Sequence, residues 1–303
     1  MTNKENISNI IQKTKDRNIS QYLRETTNSD TNTPDITLIS YDLQAGDYTR
    51  KDSLEFKKGS IYNTYNNLSD HFSEIIDNLN LENISLMEVG IGEGNMLYRV
   101  CNKLKTEISK VFGLDISLSR LLYAQDNCRK NNIQNLSLMC SDMATIPLPD
   151  NSIDVLYTCF SIEPNRGREE QILKELYRVS NKYLIILETS NEFGGKKVEE
   201  HIDRHCYVKD ISKKCKSMGF DLVKEYMSPY YFNENNRPNI MIFKKNTSPR
   251  ESCSYVSPHN HSKLINSGGN LFDPTDKQVF PVVKGITIFT ESILCSKYLE
   301  FGD

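Results

Sequence analysis

The stretch LMEVGIGEGNML, residues 86–97, decides how this chain is read. The apolar run Ile84–Val89 has the length and composition of a buried strand, and residues 96–104 have those of a helix, so Gly90, Gly92 and Gly94 fall in the turn between them. Glycine lets the backbone turn tightly and approach a ligand with no Cβ in the way. The helix that follows presents free N–H groups at its start. A dinucleotide-binding turn asks for G-x-G-x-x-G and would put its third glycine at 95, where this chain has Asn95. An ordinary tight strand–helix turn is the alternative, and the flanking sequence has to decide between them.

Working outward, strand and helix patterns alternate. Strands are expected at 84–89, 111–114, 136–140, 153–160 and 183–187, and helices at 96–104, 118–130, 169–179 and 208–218, the last ended by Gly219. The run 153–160 is nearly all apolar, as suits a strand buried on both faces. Residues 220–226 and 240–244 close the series as an antiparallel pair. Such alternation predicts an α/β, Rossmann-like, doubly wound sheet of seven strands with the last one antiparallel. Upstream, apolar residues from Ile61 to Leu79 step by three and four along a helical face, and residues 36–51 carry aromatics and a turn at Ala45-Gly46-Asp47. The first 34 residues are polar and read as a flexible or loosely docked arm, with a short helix around Ile7, Ile10 and Ile11.

Two further segments bear on chemistry. VFGLDIS places Asp115 at the end of the second strand, where a carboxylate can accept both hydroxyls of a ribose. CSDMATIPLPDNSIDVLYTCFSIE, residues 140–163, runs from the third strand into the fourth. Together with E-x-G-x-G-x-G at 88–94, these resemble the ordered motifs of class I S-adenosylmethionine-dependent methyltransferases over residues 60–245. The resemblance implies S-adenosylmethionine as cofactor. It implies that Glu88, Gly90, Gly92 and Gly94 hold the methionine portion and ribose, and that Asp115 takes the ribose hydroxyls. Asp142 would accept from the adenine amino group, Ile116 and Met143 would sandwich the ring, and Phe160 joins the cofactor set.

Methyl transfer needs alignment of acceptor, methyl and sulfur, and a base if the acceptor is a hydroxyl. In this fold the acceptor groups come from the end of the fourth strand, the region after the fifth and the segment before the first. Those places hold Ser161, Glu163 and Asn165; Glu188, Asn191, Glu192, His201 and His205; and Tyr41, Gln44, Tyr48, Tyr62 and Tyr65. Glu163 and His205 are the candidate catalytic groups, with Tyr48, Tyr65 and His201 against the acceptor. His201 and His205 share a helix face, lack the glutamate of a zinc-protease motif, and read otherwise as surface or structural histidines. No metal is expected.

After the composition break at 245–250, YVSPHNHSKL and LFDPTDKQVFPVVKGITIF resemble the small zinc-ribbon-type domain that activates tRNA and protein methyltransferases. Pro258, Leu264, Phe280, Pro281, Gly285 and Ile286 match it, while Ser257, Asn260, Asp273 and Asp276 stand at its cysteine positions. The expected organisation is 1–59 as extension and helical cap, 60–246 as cofactor-binding domain, and 247–303 as a small β-rich, degenerate ribbon-like module. That module should fold without zinc, and its apolar run at 279–289 should pack on another element or a second copy, which leaves a homodimer open.

Among 303 residues, 38% are hydrophobic and 25% charged, with a net charge of -3. That balance argues against a phosphate-gripping nucleic-acid binder. With no signal-like start and no span of about 20 apolar residues, the sequence reads as cytoplasmic and unattached to membrane. A small molecule or sugar-pathway intermediate, methylated on O or N, is the expected acceptor. An RNA or protein acceptor, or a non-catalytic partner-binding role on the same fold, are the alternatives.

Overall fold

The computed structural model describes residues 7–15, 18–52, 60–245 and 253–301. The composition break at 246–250, the boundaries drawn at 59 and 246 and the first residues of the arm lie outside the described residues. The elements in chain order are α1 (Ile7–Lys13), α2 (Ile19–Thr27), α3 (Pro34–Asp42), α4 (Asp47–Lys51), α5 (Ser60–Asp77), β1 (Ile84–Val89), α6 (Leu97–Lys103), β2 (Ile108–Asp115), α7 (Leu118–Lys130), β3 (Leu136–Cys140), β4 (Ile153–Cys159), α8 (Glu169–Val179), β5 (Ser180–Thr189), α9 (Gly195–His205), α10 (Ile211–Ser217), β6 (Asp221–Met227) and β7 (Pro238–Lys244). Short strands follow: β8 (Ile265–Ser267), β9 (Asn270–Asp273), β10 (Gln278–Phe280), β11 (Val282–Val283), β12 (Ile286–Ile288) and β13 (Ile293–Leu294).

The seven expected strands lie in the order β3-β2-β1-β4-β5-β7-β6, with β7 antiparallel to both neighbours. Strand order reverses between β1 and β4, which opens a crevice at their carboxyl ends. Alternation along β1 sends Ile84 and Leu86 to one face of the sheet and Met87 and Val89 to the other. Helices α5, α6 and α7 cover the first face through Phe72, Leu97 and Leu121; α8 and α10 cover the second through Leu173, Leu176 and Ile211.

Two more strands extend this sheet. β12 pairs parallel with β3, Thr287 opposite Met139 and Ile288 opposite Cys140, and β11 pairs with β12. β3 would otherwise be an open edge, a template for unwanted pairing. The remaining C-terminal strands form a separate four-stranded sheet in the order β13-β10-β9-β8.

The amino-terminal segment departs from a loose arm. Asn18 caps α2 by accepting from the Gln21 amide at 2.9 Å, and Thr33 caps α3 ahead of Pro34. Tyr22, Leu23 and Ile36 are buried with Ile10 in a small core of their own. α2 presents Ile19, Tyr22 and Leu23 on one face to this core, and docking stabilises such short helices more than propensity does. Among the described residues, no helix is long and apolar enough to cross a membrane.

Candidate active site

The turn after β1 is shaped by two glycines in particular. Gly90 has φ +74° and lies so close to Ser161 that a Cβ would stand 2.2 Å from that side chain's Cβ. Gly94, at φ +80°, packs against the Ala124 backbone of α7, where a Cβ would come within 3.2 Å. Both positions therefore need glycine. Below the turn, Glu88 is buried and accepts from the Tyr157 hydroxyl at 3.0 Å; burial pushes its carboxyl up to about 8. Asp115, at the end of β2, accepts from the Gly92 amide at 2.8 Å and the Ser117 amide at 2.9 Å. Each oxygen thus keeps a lone pair for a ligand hydroxyl.

Two cavities adjoin here. The narrower is lined by Gly90, Asp115, Ile116, Asp142, Met143 and Phe160, so the structure gathers the residues expected to hold an adenosine. Asp142 also accepts from the Ala144 amide and pairs with Arg168 at 2.6 Å. The larger encloses about 430 Å³, and Glu88, Gly90, Gly92, Tyr48, Tyr65, Glu163 and Phe232 are among its lining residues. Phe160 borders both, held at φ +53°, a conformation that bulky side chains rarely adopt.

Glu163, which lines the larger cavity, and Glu188 are both buried. Glu188 accepts from the Ser161, Ile162 and Glu163 amides at 2.9, 3.0 and 3.1 Å. Burial raises the Glu188 carboxyl to about 7, against these three amide donors, which favour its charged form. Burial and that neighbouring charge raise the Glu163 carboxyl well above its usual range, against hydrogen bonds from Thr189 and Tyr207. The Thr189 hydroxyl lies between Glu163 and the Asn236 side-chain oxygen. One hydroxyl proton cannot serve both acceptors. A protonated Glu163 satisfies the chain by donating to Thr189, which then donates to Asn236.

The histidines go elsewhere. His201 and His205 lie side by side on α9 with ring centroids 4.4 Å apart and planes tilted by 50°, and His205 lies 5.3 Å from the ring of Tyr207. Neither lines either cavity. Burial, then His201, Arg204 and Arg24, push the His205 imidazole down to about 4. The residue that faces the cavity from this segment is Tyr207, two positions on, and the turn after α9 is what reorients the chain. Sequence reading also passed over Arg120, Phe232, Asn233 and Asn236, which line the larger cavity from α7 and the β6–β7 loop. No motif marks them, and only the fold brings them in.

A glycine turn leading into a helix, an acid at the end of β2, and a cavity at the switch point of a 3-2-1-4-5-7-6 sheet define the class I methyltransferase fold. Residues 86–182, about a third of the chain, match the family model described as methyltransferase domain. Magnesium protoporphyrin IX methyltransferase from Synechocystis PCC 6803, solved with bound SAH, superposes with TM-score 0.55 at 14% identity, over 70% of this chain and 99% of that one. The malonyl-[acyl-carrier protein] O-methyltransferase of Marinomonas sp. (strain MWYL1) is 26% identical over 148 residues, 47% of this chain and 52% of its own length. The demethylmenaquinone methyltransferase of Anoxybacillus flavithermus (strain DSM 21510 / WK1) is 30% identical over 83 residues, 27% of this chain and 35% of its own. The chain thus spans about half or less of the length of these curated relatives.

Proposed function

We propose that this chain transfers the methyl group of S-adenosylmethionine to an oxygen or nitrogen of a small molecule. One observation carries the reading: Asp115, Ile116, Asp142 and Met143 meet in a narrow cavity that adjoins a 430 Å³ cavity lined in part by Glu163. The donor set fits an adenosine, since Asp115 keeps lone pairs for the ribose hydroxyls and Ile116 and Met143 offer apolar cover for the base. When bound, S-adenosylmethionine supplies an electrophilic methyl on a sulfur that departs as a neutral thioether.

The chain's own residues do the rest. Asp115 orients the ribose, Asp142 accepts from the adenine amino group, and Glu88 sits beneath the loop that carries the methionine end. Tyr48, Tyr65 and Phe232 wall the acceptor space from water, which sharpens alignment. With a hydroxyl acceptor, its oxygen bonds to the methyl carbon as carbon–sulfur breaks, and its proton passes to the Glu163 carboxylate. His205 has no part in this account.

That the similar Anoxybacillus protein is named for a small acceptor supports the same choice. An RNA or protein acceptor is the second reading, favoured by the likeness of residues 255–289 to a methyltransferase-activating ribbon. The test is calorimetry with S-adenosylmethionine and S-adenosylhomocysteine, then methyl transfer to fractionated small-molecule, RNA and protein pools. No binding of either nucleoside would sink the proposal, and label appearing only in RNA or protein would move it to the second reading.

A further inference from the structure

Two arginines are buried beneath the amino-terminal segment, and their partnering differs. Arg99 donates to the Asn66 side chain at 3.1 Å, to the Asn95 carbonyl at 2.8 Å and to Asp52 at 2.8 Å. Arg120, in the first turn of α7, is 8% exposed, and its Nε donates to the Tyr41 carbonyl at 3.1 Å. The rings of Tyr41 and Tyr48 lie 4.6 and 4.8 Å from its guanidinium. Its Nη2 has no hydrogen-bond partner. Asp115 acts on it through space while its oxygens receive the Gly92 and Ser117 amides.

A buried guanidinium with an unused N–H is held against its desolvation cost, which ring faces offset only in part. The flat fork of donors matches a carboxylate. The side chain borders both cavities, and a second cation, Lys51, lines the larger. We infer that Arg120 is a carboxylate-binding residue at the junction of the two cavities. The inference rests on the methyltransferase reading for its choice of ligand. The carboxylate comes either from the amino-acid end of S-adenosylmethionine or from an acidic acceptor.

Calorimetry on the full chain tells these apart. Arg120→Met and Arg120→Lys are compared with the parent against S-adenosylhomocysteine and against 5′-methylthioadenosine, which has no carboxylate. Benzoate added to the S-adenosylhomocysteine-saturated protein serves as the acidic-acceptor probe. Arg120→Met should weaken S-adenosylhomocysteine by roughly tenfold or more, the range of a charge-assisted hydrogen bond, and leave 5′-methylthioadenosine within about twofold. That result assigns the carboxylate to the cofactor. Unchanged nucleosides with benzoate binding lost assign it to the acceptor. Arg120→Lys keeps the charge and loses the fork, so the same pattern in weaker form is expected there if the methionine variant does not fold. Equal loss of both nucleosides, or no change in any ligand, overturns the inference. If the parent binds neither nucleoside, the methyltransferase reading fails, and Arg120 is judged on benzoate alone.

Discussion

Asp115 gives one oxygen to the Gly92 amide and the other to the Ser117 amide, so the loop and the carboxylate fix each other before any ligand arrives. A carboxylate–hydroxyl bond is worth about 1.5–3 kcal/mol. Asp115→Ala should therefore weaken S-adenosylhomocysteine binding by roughly ten- to a hundredfold, and calorimetry showing parental affinity would refute the assignment. Glu163 leads to a pH prediction. Burial and the Glu188 charge favour its neutral form, so the base becomes available only as pH rises beyond the usual carboxyl range near 4.3. With a hydroxyl acceptor, turnover should climb between about pH 6 and about pH 9, and Glu163→Gln should abolish the climb. The sign for stability is opposite: ionising this carboxyl withdraws stability as pH rises from its unfolded value toward its raised folded one. Glu163→Gln, which cannot ionise, should melt higher than the parent at alkaline pH; a lower melting point there counts against the assignment. That Asp115 and Asp142 reach the narrower cavity was legible in the sequence because they stand at or just after strand ends that the pattern fixes. Tyr207 and Arg120 were not, since a helix turn and a docked segment aim them. His201 and His205 misled because their spacing puts them on one helix face without saying where that face looks.

At the level of elements, the amino-terminal helices are tied to the glycine loop by a single side chain. Glu93, buried within that loop, accepts from the Gly46 amide at 2.9 Å, the Tyr48 amide at 3.3 Å and the Thr49 amide at 2.5 Å, and so caps the start of α4. Asp42 at the end of α3 adds bonds from the Ser117 hydroxyl and the Ser119 amide, where α7 begins. A carboxylate at a helix start also meets the positive end of its dipole. Glu93→Ala leaves three amides without their acceptor, at a cost of about 1–3 kcal/mol for buried groups. We predict faster amide exchange over residues 42–52 in that variant, with protection in β1 and β4 unchanged. Equal exchange in both proteins would show that the segment is held by its other contacts. Locally these helices look like polar linker, and contacts distant in sequence, Glu93 and Asp42 among them, tie them to the core.

Across the whole molecule, the carboxy-terminal strands complete the sheet. Phe280 and Phe289 join the core on one side of it and Ile286 and Ile288 the core on the other, while the Phe289 amide donates to the Cys140 carbonyl at 2.7 Å. Ser257, Asn260, Asp273 and Asp276 come together in a hydrogen-bonded knot. Asn260 donates to Asp273 at 2.9 Å and to Asp276 at 2.7 Å, and Ser262 donates to Asp273 at 2.7 Å. Burial pushes the Asp273 carboxyl up, but Ser262, Ser257 and the Thr275 and Asp276 amides outweigh it and hold the carboxyl below its usual range. Hydrogen bonds here occupy the oxygens that a metal would need, and zinc takes little hold on a set without thiolates. A chelator should therefore leave the melting temperature unchanged, and elemental analysis should find no stoichiometric zinc. Asp273→Ala should destabilise at neutral pH by about 1–3 kcal/mol, by stripping a buried network of its acceptor. Because the folded state lowers this pKa, the parent's advantage over the alanine variant should persist above about pH 4 and shrink as acid protonates the carboxylate. Truncation at Lys245 tests the same packing from outside. It would strip cover from both faces and leave β3 an open edge, so the shortened chain should aggregate or melt well below the parent. A soluble truncated chain with parental stability would mean that β12 adds nothing to the sheet it joins.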